Sequence, residues 1–136
     1  MPPSPVTRRA SCSCGQLAVI CEGEPVRVGI CHCLACQQRT GSVFGVQARF
    51  ARAKVTIEGH AREWSRVGDD GGHGTFRFCP ECGATVYYTF DVEPDLVGVP
   101  VGAFADPAFP PPTYSVYERR RHPWVRAAES CVEHDD

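Results

Sequence analysis

The chain has 136 residues and a formal net charge of -2, a size and balance that fit one domain and give no reason to expect nucleic acid as a partner. Hydrophobic residues at 43% and charged residues at 22% are ordinary globular proportions and exclude a disordered polyelectrolyte. The 13 glycines and 12 prolines, set against one methionine, speak for many turns and short strands and against a helical bundle.

In chain order, residues 1–9 read as a flexible, Pro-rich start. Residues 1–11 hold no apolar run of the length a secretory signal needs, which points to the cytoplasm and to reduced thiols. Short strands are expected at residues 17–22 and 26–30, followed by one turn of helix over residues 34–39. Residues 43–50 alternate, with Phe44, Val46, Ala48 and Phe50 on one face and Gln47 and Arg49 on the other, as in a half-buried strand. Further strands are expected at residues 54–58, 62–67, 75–78, 85–90 and 96–101, with a mobile glycine-rich loop at residues 68–74. Pro100 has no N–H to give to a ladder and suggests an edge strand. A second helical turn is expected near residues 124–129, and residues 128–136 read as a polar tail behind a domain at 10–127. The whole reads as mainly β, an antiparallel sandwich or barrel of short strands. No stretch approaches the roughly 20 apolar residues of a membrane span, so no membrane partner is expected.

Seven of the nine cysteines fall into three tight groups: Cys12 and Cys14; Cys31, Cys33 and Cys36; Cys79 and Cys82. In Cys79-Pro80-Glu81-Cys82-Gly83 the proline fixes a turn and the glycine permits positive φ, so that backbone N–H groups can point at sulfur, as in a metal knuckle. Cys12 and Cys14 stand at i and i+2, on one side of an extended segment. A structural zinc takes four thiolate or imidazole ligands, and the two outer pairs supply four. That leaves Cys31, Cys33 and Cys36, and three ligands with one open position are the pattern of a catalytic zinc. A single ribbon on Cys33, Cys36, Cys79 and Cys82 is the alternative pairing. Cys21 alternates with Val19 and reads as a core residue, and Cys131 as a non-ligand in the tail.

The succession CSCG, CHCLACQQRTGS, FCPECGATVYY, a late ADP and a terminal RRRHPW resembles the glutathione-dependent formaldehyde-activating enzyme family, which includes centromere protein V, over residues 10–127. Gly41, Asp106, Pro107, Pro123 and Trp124 also match family motif positions. The resemblance implies an Mss4-like zinc-binding fold with two zinc ions per chain. A structural ion would sit on Cys12, Cys14, Cys79 and Cys82, and a catalytic one on Cys31, Cys33 and Cys36. It implies a carbon–sulfur lyase of the S-(hydroxymethyl)glutathione synthase kind, with glutathione or another small thiol and an aldehyde as its small-molecule partners. The chain departs from many relatives at Phe76, where they carry Arg, and at Ser115, where they carry His, and both departures bear on substrate identity.

Three thiolates around a divalent ion leave it a poor Lewis acid but an effective donor of a fourth thiolate. His32 is then the candidate for proton transfer to the developing alkoxide, and Arg39 the candidate contact for a glutathione carboxylate. The rival reading is a non-catalytic zinc-stabilised module that binds a protein or nucleic acid through Arg119, Arg120, Arg121 and His122. A thiol–disulfide role is a third possibility.

Overall fold

A computed structural model of the chain describes residues 6–68 and 71–136. It is mainly β, in two sheets. The smaller has the order β1 (Thr7–Ser11), β2 (Ala18–Glu22) and β5 (Val55–Glu58), all antiparallel. The larger runs β11 (Glu133–His134), β10 (Tyr114–Val116), β3 (Arg27–Cys31), β4 (Gly45–Ala51), β9 (Glu93–Pro100), β8 (Thr85–Phe90), β7 (His73–Phe78) and β6 (Arg62–Val67). Among the described residues one α-helix, α1 (Leu34–Thr40), follows β3 and is stopped by Gly41, whose φ of 72° only glycine adopts cheaply.

The two faces of the large sheet have different fates. Val28 of β3, Ala48 and Phe50 of β4, Val86 of β8, and Val97 and Val99 of β9 meet Leu17, Val19 and Cys21 from the small sheet in one buried cluster. Cys21 thus lies in the core, fully buried. Period-two alternation sends the intervening residues to the opposite face, where Arg27, Gln47 and Arg49 line a cavity instead of meeting open solvent.

Several sequence expectations need correction. Thr7–Arg9 belong to β1, paired with Glu22, Cys21 and Ile20, whereas residues 1–5 of the expected flexible start lie outside the described residues. Their charges did not prevent a strand, because Arg8 lies over Phe109 at 5.2 Å and Arg9 reaches Glu58 at 2.8 Å. His73 and Gly74 of the expected loop are in β7, and Asp69 and Asp70 lie outside the described residues. Pro100 is not on an edge strand, since β9 lies between β4 and β8. It is the last residue of β9, opposite Gln47 of β4 and beyond the residues of β9 that pair with β8. The polar tail adds β11, and Cys131 is buried with its thiol 3.7 Å from the Pro112 carbonyl. Residues 124–129 are irregular between two turns, not a helix, and β10 pairs parallel with both β3 and β11, so the large sheet is not wholly antiparallel.

Two glycines set how closely the cavity face packs. A Cβ on Gly29 would overlap the Tyr114 ring, and one on Gly98 would overlap Tyr88. Gly29→Ala should therefore cost about 1–3 kcal/mol by overpacking and loosen β10 from β3. Urea unfolding measures the first effect, and hydrogen exchange at Thr113, whose N–H bonds to the Val28 carbonyl at 3.0 Å, measures the second.

Candidate active site and metal centres

Two groups of sulfur atoms assemble. Those of Cys12, Cys14, Cys79 and Cys82 all lie within 4.8 Å of one another, and so do those of Cys31, Cys33 and Cys36. The ribbon pairing of Cys33 and Cys36 with Cys79 and Cys82 does not occur.

The outer group joins two tight turns. Gly15 (φ 85°) turns the chain after Cys14, so that the Leu17 N–H comes 3.3 Å from the Cys12 sulfur. Gly83 (φ 81°) closes the second turn, with its N–H 2.8 Å from the Cys79 carbonyl. The Cys79 sulfur accepts from the Gln16 amide at 2.9 Å and from the Glu81 N–H at 3.3 Å. Burial raises the Cys79 thiol, but these donors together with the Cys82 N–H outweigh it and bring the group to about 6. Four sulfurs with N–H donors aimed at them match the donor set that structural zinc takes. Such a centre would fasten the β1–β2 hairpin of one sheet to the β7–β8 turn of the other.

The inner group sits where β3 passes into α1. Cys31 ends β3, Cys33 is the N-cap of α1 with its sulfur accepting from the Cys36 N–H at 3.3 Å, and Cys36 faces inward from the first turn. All three are nearly buried, packed by Ala35, Val116 and Tyr117. Hydrogen bonds from the Cys31 and Cys36 thiols hold Cys33 far below the usual thiol range, and the same sharing pushes Cys31 far above it. Three sulfurs within 4.8 Å of one another fit a thiolate-preferring cation such as zinc, with one position left over.

The two groups differ in what they face. Cys31, Cys33 and Cys36 form part of the wall of a cavity of about 590 Å³, and none of the four outer cysteines does. Five arginines also line it: Arg27, Arg39, Arg49, Arg66 and Arg120. Arg39 projects from α1 over the rings of Phe76 and Tyr88, at 4.9 and 5.2 Å, and among the described residues no carboxylate is paired with it. Phe76, at the position where Arg was noted in relatives, is thus a platform for two cations, with Arg66 at 5.7 Å.

His32 is the correction here. Its ring is fully buried on the far side of β3 from the cavity, with Nε2 2.9 Å from the Ser115 hydroxyl and the ring against Phe44 at 6.1 Å. Burial lowers its pKa below the usual histidine value. The Arg119–His122 run makes no patch. Arg119 lies 3.5 Å from Asp136, Arg120 is in the cavity wall, Arg121 pairs with Glu118 at 3.0 Å, and His122 bonds to Gln37 at 2.9 Å. Sequence reasoning missed Tyr117, which packs on the inner cysteines, lines the cavity, and holds φ at 55°, a region that non-glycine residues enter at a cost. A Tyr followed by Glu-Arg-Arg gives no warning of it.

The two groups should respond differently to loss of one sulfur. Cys12→Ser or Cys82→Ser opens a centre that joins both sheets, and should unfold or aggregate the zinc-loaded chain on thermal melting. Cys36→Ser should leave the melting transition near that of the wild type and abolish tight metal binding at the inner group alone, as elemental analysis would report.

No curated protein matches the chain closely enough to stand as a relative. A solved structure of a Rhodobacter sphaeroides protein superposes with a TM-score of 0.55 at 19% identity, over 70% of this chain and 85% of that one, which shows a shared fold. The family of glutathione-dependent formaldehyde-activating enzymes matches residues 7–120, a span that holds both cysteine groups and most of the cavity wall, and the chain belongs to that family.

Proposed function

We propose that the chain is a cytoplasmic, zinc-dependent carbon–sulfur lyase of the S-(hydroxymethyl)glutathione synthase kind, joining a small thiol to an aldehyde. One observation carries this reading: the three-sulfur group opens on a cationic cavity and the four-sulfur group does not. A zinc ion on the inner group would supply a position where an incoming thiol is deprotonated at neutral pH.

The chain's own residues bind, orient and move a proton. Arg39, held over Phe76 and Tyr88 beside the inner cysteines, receives a carboxylate of the thiol. The substrate sulfur then forms a bond to the aldehyde carbon, the carbonyl π pair moves to oxygen, and that oxygen takes up the proton the thiol gave up. Tyr117 replaces His32 as the group that delivers it, because its side chain packs on the inner cysteines from the cavity wall whereas the His32 ring faces away. Glutathione meets the cavity's demand for negative charge with two carboxylates.

Carbon-13 formaldehyde mixed with glutathione gives a direct assay, since the hydroxymethyl carbon is resolved by NMR. The zinc-loaded chain should speed its appearance above the spontaneous rate, and Tyr117→Phe should lower that acceleration by about a hundredfold. With cobalt in place of zinc, glutathione should change the thiolate-to-metal absorption, and Arg39→Ala should weaken that titration without altering metal content. No spectral change in the wild type would remove glutathione from the site, and an unaltered titration in Arg39→Ala would remove Arg39.

A further inference from the structure

The floor of the cavity carries a cation that the chemistry above leaves unused. Arg49, on β4, is only 8% exposed, and among the described residues its buried Nε has no hydrogen-bond acceptor, while its Nη1 meets only a carboxylate that it shares. That carboxylate is Glu93, 3.1 Å from Nη1, whose two oxygens also accept from Arg27 at 2.8 and 2.7 Å. Two guanidiniums around one carboxylate leave one positive charge over. Phe90, 4.6 Å from the guanidinium carbon, offers a ring face and no acceptor atom in the guanidinium plane. A nearly buried cation with unfilled donors is costly unless an anion completes it, and Arg49 and Glu93 both lie in the cavity wall.

We propose that Arg49, braced by the Arg27–Glu93 pair, is a second carboxylate subsite that selects thiols carrying a γ-glutamyl group. The proposal rests on the reading that the thiol enters at Cys31, Cys33 and Cys36. Strand geometry supplies a ruler. A Cβ at Gly45 would touch the Cys36 Cβ at 3.6 Å, which puts that end of β4 beside the inner sulfurs. Gly45, Gln47 and Arg49 share one face of β4, and four residues of strand span about 13 Å. In glutathione the glycine carboxylate lies six bonds from sulfur and the γ-glutamyl α-carboxylate eight bonds, roughly 7 and 10 Å when extended. The shorter reach suits Arg39, next to Cys36. The longer suits Arg49, which stands farther along the same face of β4.

Calorimetric titration of the metal-loaded chain with three probes tests this: glutathione, cysteinylglycine, which lacks the γ-glutamyl group, and S-methylglutathione, which keeps both carboxylates but cannot form a thiolate. Glutathione should bind about tenfold to a hundredfold more tightly than cysteinylglycine. Arg49→Gln should bring glutathione down to the affinity of cysteinylglycine, leave cysteinylglycine unchanged, and weaken S-methylglutathione by the same factor as glutathione. Equal binding of glutathione and cysteinylglycine by the wild type overturns the subsite without any variant, and so does an Arg49→Gln chain that weakens both alike. Loss of S-methylglutathione binding in Arg49→Gln, in a chain where no thiol perturbs a cobalt spectrum, would support the subsite while refuting the thiol's place at the inner cysteines.

Discussion

The period-two alternation of the central strands governs this molecule more than any single contact. Along β3, β4 and β9 every second residue enters the cluster shared with the small sheet, where Val28, Ala48, Phe50, Val97 and Val99 are buried. The residues between them cannot reach that core and must cover the other face. There the chain places arginines and aromatic rings, joined by Glu93 where the register of β8 and β9 shifts, and folds α1 and β10 beside them, so the second face becomes a cavity. A one-residue slip of β4 would exchange Phe50 for Arg49 and destroy core and cavity together. The outer cysteines stand at the turns leaving β1 and β7, one in each sheet.

Electrostatics explains why that cavity is lined by five arginines although the whole chain carries a formal charge of -2. Acidic side chains are spent on pairs such as Arg9 with Glu58 and Arg77 with Glu63, away from the cavity. Within it, Arg39 is stabilised by ring faces instead of carboxylates, which leaves its charge available to a ligand. The inner cysteines add a demand of opposite sign, because thiolates packed together call for a cation. A cation-demanding cluster beside anion-demanding guanidiniums suits a small molecule with a sulfur at one point and carboxylates at others.

Much of this was legible in the sequence wherever the signal is local. Cys-x-Cys and Cys-x2-Cys spacings place sulfurs by one turn of backbone, and the residues of β6 and β8 coincide with the runs that alternate in sequence. Strand β10 escaped notice because three residues carry no period, and β1 because Arg8 and Arg9 hide an alternation that depends on Phe109 and Glu58 from remote parts of the chain. Arg49 was readable as the polar face of a strand, but not as buried, since its cover comes from β8, β9 and their connecting turn. His32 was assigned by nearness in sequence, although Cys31 and Cys33 on either side already put it on the opposite face.

In the proposed reaction a substrate sulfur occupies a position on the inner cysteine group. X-ray absorption at the selenium edge tests it most directly, using the selenium analogue of glutathione bound to the zinc-loaded chain. A zinc neighbour of selenium at bonding distance is expected, present in the wild type and lost in Cys36→Ser. A selenium atom with only light neighbours in a chain carrying both zinc ions would contradict it.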